Sequence, residues 1–79
     1  MAKQQVKLTF PEELIREPVI GKMTKQYQVM PNIRRAKVTE TLGELVMELE
    51  GPEDELERAL AYLRQQGVRV EPLVGDIVE

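Results

Sequence analysis

The sequence predicts a small α+β domain in which strands and helices follow in the order strand, helix, strand, strand, helix, strand. Three observations carry this. Four short runs alternate apolar and polar residues. Two further runs repeat their apolar residues at three- and four-residue spacing. Proline and glycine stand at the joints between runs.

The first strand spans Gln4–Phe10, with Val6, Leu8 and Phe10 inward and Lys7 and Thr9 outward. Pro11 stops it, having no N–H for a ladder. Glu12–Glu17 is polar apart from Leu14 and Ile15 and reads as a loop with one helical turn. Pro18 suits the first turn of a helix. The stripe of Val19, Ile20, Met23 and Tyr27 follows, and Ile20, Met23 and Tyr27 are assigned to the core. Lys25 suits the negative end of that helix, and Gly21 weakens it by about 0.5–1 kcal/mol relative to Ala. Pro31 is expected to break the chain before the second strand, Asn32–Glu40.

In that strand Ala36 and Val38 face inward while Arg35, Lys37 and Thr39 face outward. Ile33 also belongs to the core but is out of phase with Ala36, which predicts a bulge or bend near Arg34. A hairpin at Glu40–Glu44 leads to the third strand, Glu44–Glu50, with Leu45, Met47 and Leu49 inward and Val46 outward. Pro52 then opens the second helix. Glu53, Asp54 and Glu55 lie in its first turn, where acids complement the dipole. Leu56, Ala59, Leu60 and Leu63 form its stripe, with Tyr62 beside it. Gly67 is a natural residue just past the helix end. Val68 and Val70 mark the last strand, which Pro72 curtails. Leu73–Glu79 is a short tail that keeps Val74, Ile77 and Val78 apolar. The predicted fold is therefore ferredoxin-like βαββαβ, a four-stranded antiparallel sheet with two helices on one face.

Composition removes whole classes of function. The chain has 79 residues, 42% of them hydrophobic and 32% charged. That bounds it to one soluble domain, residues 1–79. It has no Cys and no His. Disulfides, thiolate chemistry, Fe–S ligation, the usual zinc sites and a His general base are therefore excluded. No cofactor or metal is expected. The net charge of −3 argues against nucleic acid, and the three aromatic residues make no stacking platform. No run approaches a membrane span, and the lack of a targeting segment suggests the cytoplasm. The stretch Pro11–Pro18 sets three glutamates against Arg16, a poor phosphate cradle. No enzyme is expected. The outward sheet face carries Lys7, Arg35, Lys37, Glu48, Glu50, Arg69 and Glu71. It reads first as a solvated face with cross-strand ion pairs and second as a charged interface. A core this small leaves little stability in reserve, which makes association plausible. Asn32 reads either as the anchor of a local turn or as an amide that orients a small ligand.

The ordered set Glu17-Pro18-Val19-Ile20, Asn32-Ile33-Arg34, Gly43, Leu49-Glu50-Gly51, Ala59-Leu60-Ala61-Tyr62-Leu63 and Gly67-Val68-Arg69-Val70-Glu71 resembles the NIL domain family over about residues 5–73. The resemblance implies the same ferredoxin-like fold. It also implies a regulatory domain that binds methionine and associates in pairs, as at the C-terminus of methionine importer ATPases. Other family members precede a 4Fe–4S ferredoxin module, and the run Arg34-Arg35-Ala36-Lys37-Val38-Thr39 looks closer to those. The family triplet is Asn-Ile-Leu, so Asn32 and Ile33 match and Arg34 departs, setting a charge beside the implied pocket. Asn32 and Ile33 are the ligand contacts the resemblance implies, and Met30 is a neighbour able to adapt to the ligand's shape. Asn32 is expected at the rim of a pocket or at a subunit seam. Two functions follow: a sensor of methionine or a related amino acid at a homodimer seam, or a module that docks on a redox or transport protein without a small ligand.

Overall fold

The structure, a computed structural model, describes residues 2–73. The elements are β1 (Ala2–Pro11), a 3-10 turn (Glu12–Leu14), α1 (Val19–Gln26), β2 (Met30–Val38), β3 (Leu42–Gly51), α2 (Glu53–Gln65) and β4 (Arg69–Leu73). The strands form one antiparallel sheet in the order β2-β3-β1-β4. This is the predicted βαββαβ arrangement; the expected tail, residues 74–79, lies outside the described residues.

The core sits between the sheet and the helices. Val6, Leu8, Met47, Leu49, Met23 and Leu63 are fully enclosed, and α2 buries Leu56, Ala59, Leu60, Tyr62 and Leu63. Helix α1 buries Val19 and Met23, whereas Ile20 is half-buried. The eight-residue helix thus turns its first residue into the core and the second toward its edge. Gly67 adopts φ 100°, a conformation open to glycine. Val68 N–H donates to Leu63 O at 3.0 Å and closes the end of α2.

Strand boundaries differ from expectation at the prolines. Pro31 and Pro72 lie inside β2 and β4 and do not break them. Both are edge strands, where a residue without an N–H can turn its nitrogen to solvent. The hairpin turn is tight at Glu40-Thr41. Thr39 Oγ1 accepts from Thr41 N–H at 3.3 Å and from Leu42 N–H at 3.0 Å, so Gly43 sits within β3.

The predicted bulge is present: the β2–β3 register shifts between Ile33 and Arg35. The predicted inward row of β2 keeps its parity, with Ile33 opposite Met47, Ala36 opposite Leu45 and Val38 opposite Gly43. It is not part of the core, however. Ile33 is 53% exposed and Val38 62%, because neither helix reaches over this edge strand.

A latch fixes where β2 starts. Gln28 N–H donates to Glu55 Oε1 at 2.7 Å, tying the loop after α1 to α2. Gly51 lets that loop pass close by, since a Cβ there would lie 2.5 Å from Gln28 O. Val29 is buried beneath it, and the rings of Tyr27 and Tyr62 meet at 5.8 Å.

Candidate functional site

Two surfaces stand out, one at each end of β2. At its start lie Met30, Asn32 and Ile33, the three residues singled out from the sequence. Met30 and Asn32 point to the open face of the sheet, opposite Glu50 and Glu48. Ile33, opposite the buried Met47, points to the helix side. Met30 is 69% exposed and Asn32 is exposed as well. Within one chain, therefore, Met30 and Asn32 share a face and Ile33 lies on the other. Met30 also borders a shallow groove with Lys25, Tyr27 and Glu50. This surface is a ridge that a ligand can touch and that a second molecule is needed to enclose.

At the far end of β2 is an apolar cleft of about 210 Å³ between the end of β1, the segment after it and α1. Phe10, Leu14, Ile15, Pro18, Ile20 and Leu45 line it, Val38 stands at its β2 side, and Glu17 and Glu44 also border it. Sequence patterning does not reveal this cleft. Its traces there are the apolar pair Leu14-Ile15 in a polar run and Gly21 within a helix. A Cβ on Gly21 would have nothing within 4 Å among the described residues, so no contact among them requires the glycine.

Between these ends β2 is basic. Arg35 and Lys37 lie on the open face opposite Val46 and Glu44, and Arg34 occupies the bulge. Glu44 pairs with Lys7 at 3.7 Å. The only other ion pair among the described residues is Arg58–Glu55 at 3.5 Å on α2. The network of cross-strand pairs expected on the open face thus reduces to one contact, a half-exposed pair of small energetic weight. No group of three or more Asp, Glu, His or Cys among the described residues could hold a metal ion. No helix of the described residues is long and apolar enough to cross a membrane.

Comparison with known proteins places this architecture. Residues 4–72 match the NIL domain. The chain is 39% identical over 70 residues to a methionine import ATP-binding protein MetN 1 of Bacillus cereus, covering 84% of this chain and 20% of that protein. It is 34% identical over 74 residues to MetN of Halalkalibacterium halodurans, covering 89% of this chain and 22% of that one. The chain thus spans about a fifth of the length of the curated relatives it matches. Among solved structures it superposes on the C-terminal domain of an ABC transporter ATP-binding protein from Enterococcus faecalis, with a TM-score of 0.79 and 26% identity over 92% of this chain and 86% of that one. The family match covers nearly all of the chain and the fold agrees with it: the chain belongs to the NIL domain family.

Proposed function

We propose that this chain is a non-catalytic regulatory domain that binds an amino acid, methionine or a close relative, at a seam along β2. The observation that carries the reading is the state of that strand. Met30 and Ile33 are more than half exposed, whereas β1 and β3 bury most of their apolar row. A second copy laid against the start of β2 would enclose Met30, Asn32 and Ile33, and the amide of Asn32 offers the donor and the acceptor that a zwitterion uses. The methionine import relatives supply the ligand class, and their ATP-binding function favours a cytoplasmic location. The test is an NMR titration with a panel of amino acids, combined with sedimentation. Methionine should shift Met30, Asn32 and Ile33 and favour a dimer. Asn32→Ala should abolish the shift while leaving the melting temperature unchanged. A loss of stability of about 1 kcal/mol in that variant, with no ligand bound by the parent, would assign Asn32 to local structure and reject the sensor.

A second reading has its own observation. Arg34, Arg35 and Lys37 are all exposed on the same edge strand, outside both ion pairs of the described residues. They favour docking on a protein partner, of redox or transport type, without a small ligand.

A further inference from the structure

Arg34, Arg35 and Lys37 crowd one edge strand of a chain whose net charge is −3. All three are exposed, and none takes part in either ion pair of the described residues. Arg35 and Lys37 lie on the open face, and Arg34 occupies the bulge. The neighbouring strands compensate them only in part. Val46 is flanked by Arg35 on β2 and Lys7 on β1. Lys37 faces Glu44, which Lys7 engages at 3.7 Å, and Glu48 stands opposite Asn32, diagonal to Arg35. Four cations against two acids leave this patch with two positive charges.

The patch lies on the strand along which the proposed seam runs, and a seam doubles it. In an antiparallel pair of identical strands related by a two-fold axis, the residue on the axis is its own opposite. With Ala36 on the axis, Arg35 of each copy stands opposite Lys37 of the other. The hairpin end of the second copy then runs past the bulge toward Asn32 and Met30. With Arg34, Arg35 or Lys37 on the axis, that residue meets its own copy. In each case cations are directly opposite one another, about 5 Å apart at Cβ, where like charges destabilise the pairing. The Debye length at physiological salt is about 8 Å, so charges this close are not screened from one another.

We propose that a small multivalent oxyanion of the phosphate or sulfate type binds on the two-fold axis of this seam and bridges Arg35 and Lys37 of both copies. Neither copy alone holds the site. The proposal rests on the seam reading and supplies the counter-ion that the seam needs. Arginine presents a planar fork that binds two oxygens of such an anion, and lysine adds a compact charge. Magnitude decides the class. Two positive charges on each copy become four at the seam. One carboxylate offsets a quarter of that excess, and a doubly charged oxyanion offsets half.

The test is sedimentation and NMR of the full chain in phosphate and in chloride at equal ionic strength, so that screening is the same in both. Phosphate at about ten times its dissociation constant should tighten dimerisation about tenfold. It should shift Arg34–Val38 only at protein concentrations where the dimer forms. The double change Arg35→Gln with Lys37→Gln should dimerise in chloride at least as tightly as the parent does in phosphate, and phosphate should then have no effect. Merely structural damage would instead weaken the dimer in both buffers. Where that variant does not fold, the two buffers compared on the unaltered chain decide the matter. A dimer equally tight in phosphate and in chloride overturns the bridging anion and leaves the seam standing. A chain that stays monomeric in both at millimolar concentration overturns both. Phosphate that shifts Arg35 and Lys37 of a monomer without promoting the dimer overturns the shared site.

Discussion

Alanine placed at Gly51 and at Gly21 should change stability in opposite directions. At Gly51 the new Cβ would lie 2.5 Å from Gln28 O, 3.3 Å from Val29 Cγ1 and 3.4 Å from Val29 Cα. Two of the three atoms belong to backbone, so no side-chain rotation relieves the contact. The Gln28 carbonyl must retreat, and the same residue carries the N–H that donates to Glu55 Oε1 at 2.7 Å. Overpacking of this kind costs about 1–3 kcal/mol, and a weakened hydrogen bond adds about 1 kcal/mol. For a domain of this size each kcal/mol moves the melting temperature by about 4–8 °C, so Gly51→Ala should melt about 8 °C or more below the parent. At Gly21 nothing among the described residues lies within 4 Å of the new Cβ. The substitution there removes a glycine from the first turn of α1 and should add up to about 0.5–1 kcal/mol. Thermal and urea denaturation of the two variants, run side by side, provide the assay. A Gly51→Ala protein as stable as the parent, or a Gly21→Ala protein destabilised to the same extent, would refute the argument from space.

Other variants probe separate parts of the fold. Met47, at the centre of β3, is fully enclosed. Met47→Ala should cost about 2–5 kcal/mol; a urea midpoint close to that of the parent would contradict the assigned core. Gly67→Ala forces an L-residue to φ 100°. It should lose about 1–2 kcal/mol, to be read by the same denaturation. Glu55→Ala removes the acceptor for Gln28 N–H. It should speed hydrogen exchange at Gln28, with a loss of about 1 kcal/mol. Arg58→Ala breaks a pair with Glu55 in which the arginine itself is exposed. Its stability by the same urea assay should stay within about 0.5 kcal/mol of the parent.

The parts of the fold that are legible in the sequence are those with a period of their own. Helix α2 announces itself by Leu56, Ala59, Leu60 and Leu63, and β1 and β3 by alternation, which in β3 is broken by the outward Val46. Even the bulge is readable, because Ile33 falls out of phase with Ala36 and Val38 and only an extra residue restores the register. What alternation cannot tell is whether anything lies above a face. It assigns Ile33, Ala36 and Val38 to the correct side of β2, but an eight-residue α1 is too short to cover an edge strand as well as the centre of the sheet. The prolines mislead for a related reason. Their effect depends on whether a strand is central or at an edge, which is a property of the assembled sheet. The apolar cleft is hidden because its walls come from β1, β2, β3, the connecting segment and α1, and none of these carries it alone. Asn32 and Met30 can be named as neighbours from sequence, and the structure adds that they share the open face while Ile33 does not.

The position of β1 between β3 and β4 has a consequence for how the chain is made. Within the domain the first strand is flanked by partners that come much later, and its second neighbour is the last strand of the fold. At about 5–20 residues per second, several seconds of translation separate Pro11 from Arg69. During that interval β1 holds Val6, Leu8 and Phe10 with one edge still vacant. Pairings this distant in sequence are also slow to close, because the loop entropy is lost before the contacts form. A ribosome that stalls before Arg69 would therefore release a chain whose first strand, apolar along one face, is open on one side, and that nascent species is the one that holdase chaperones would bind.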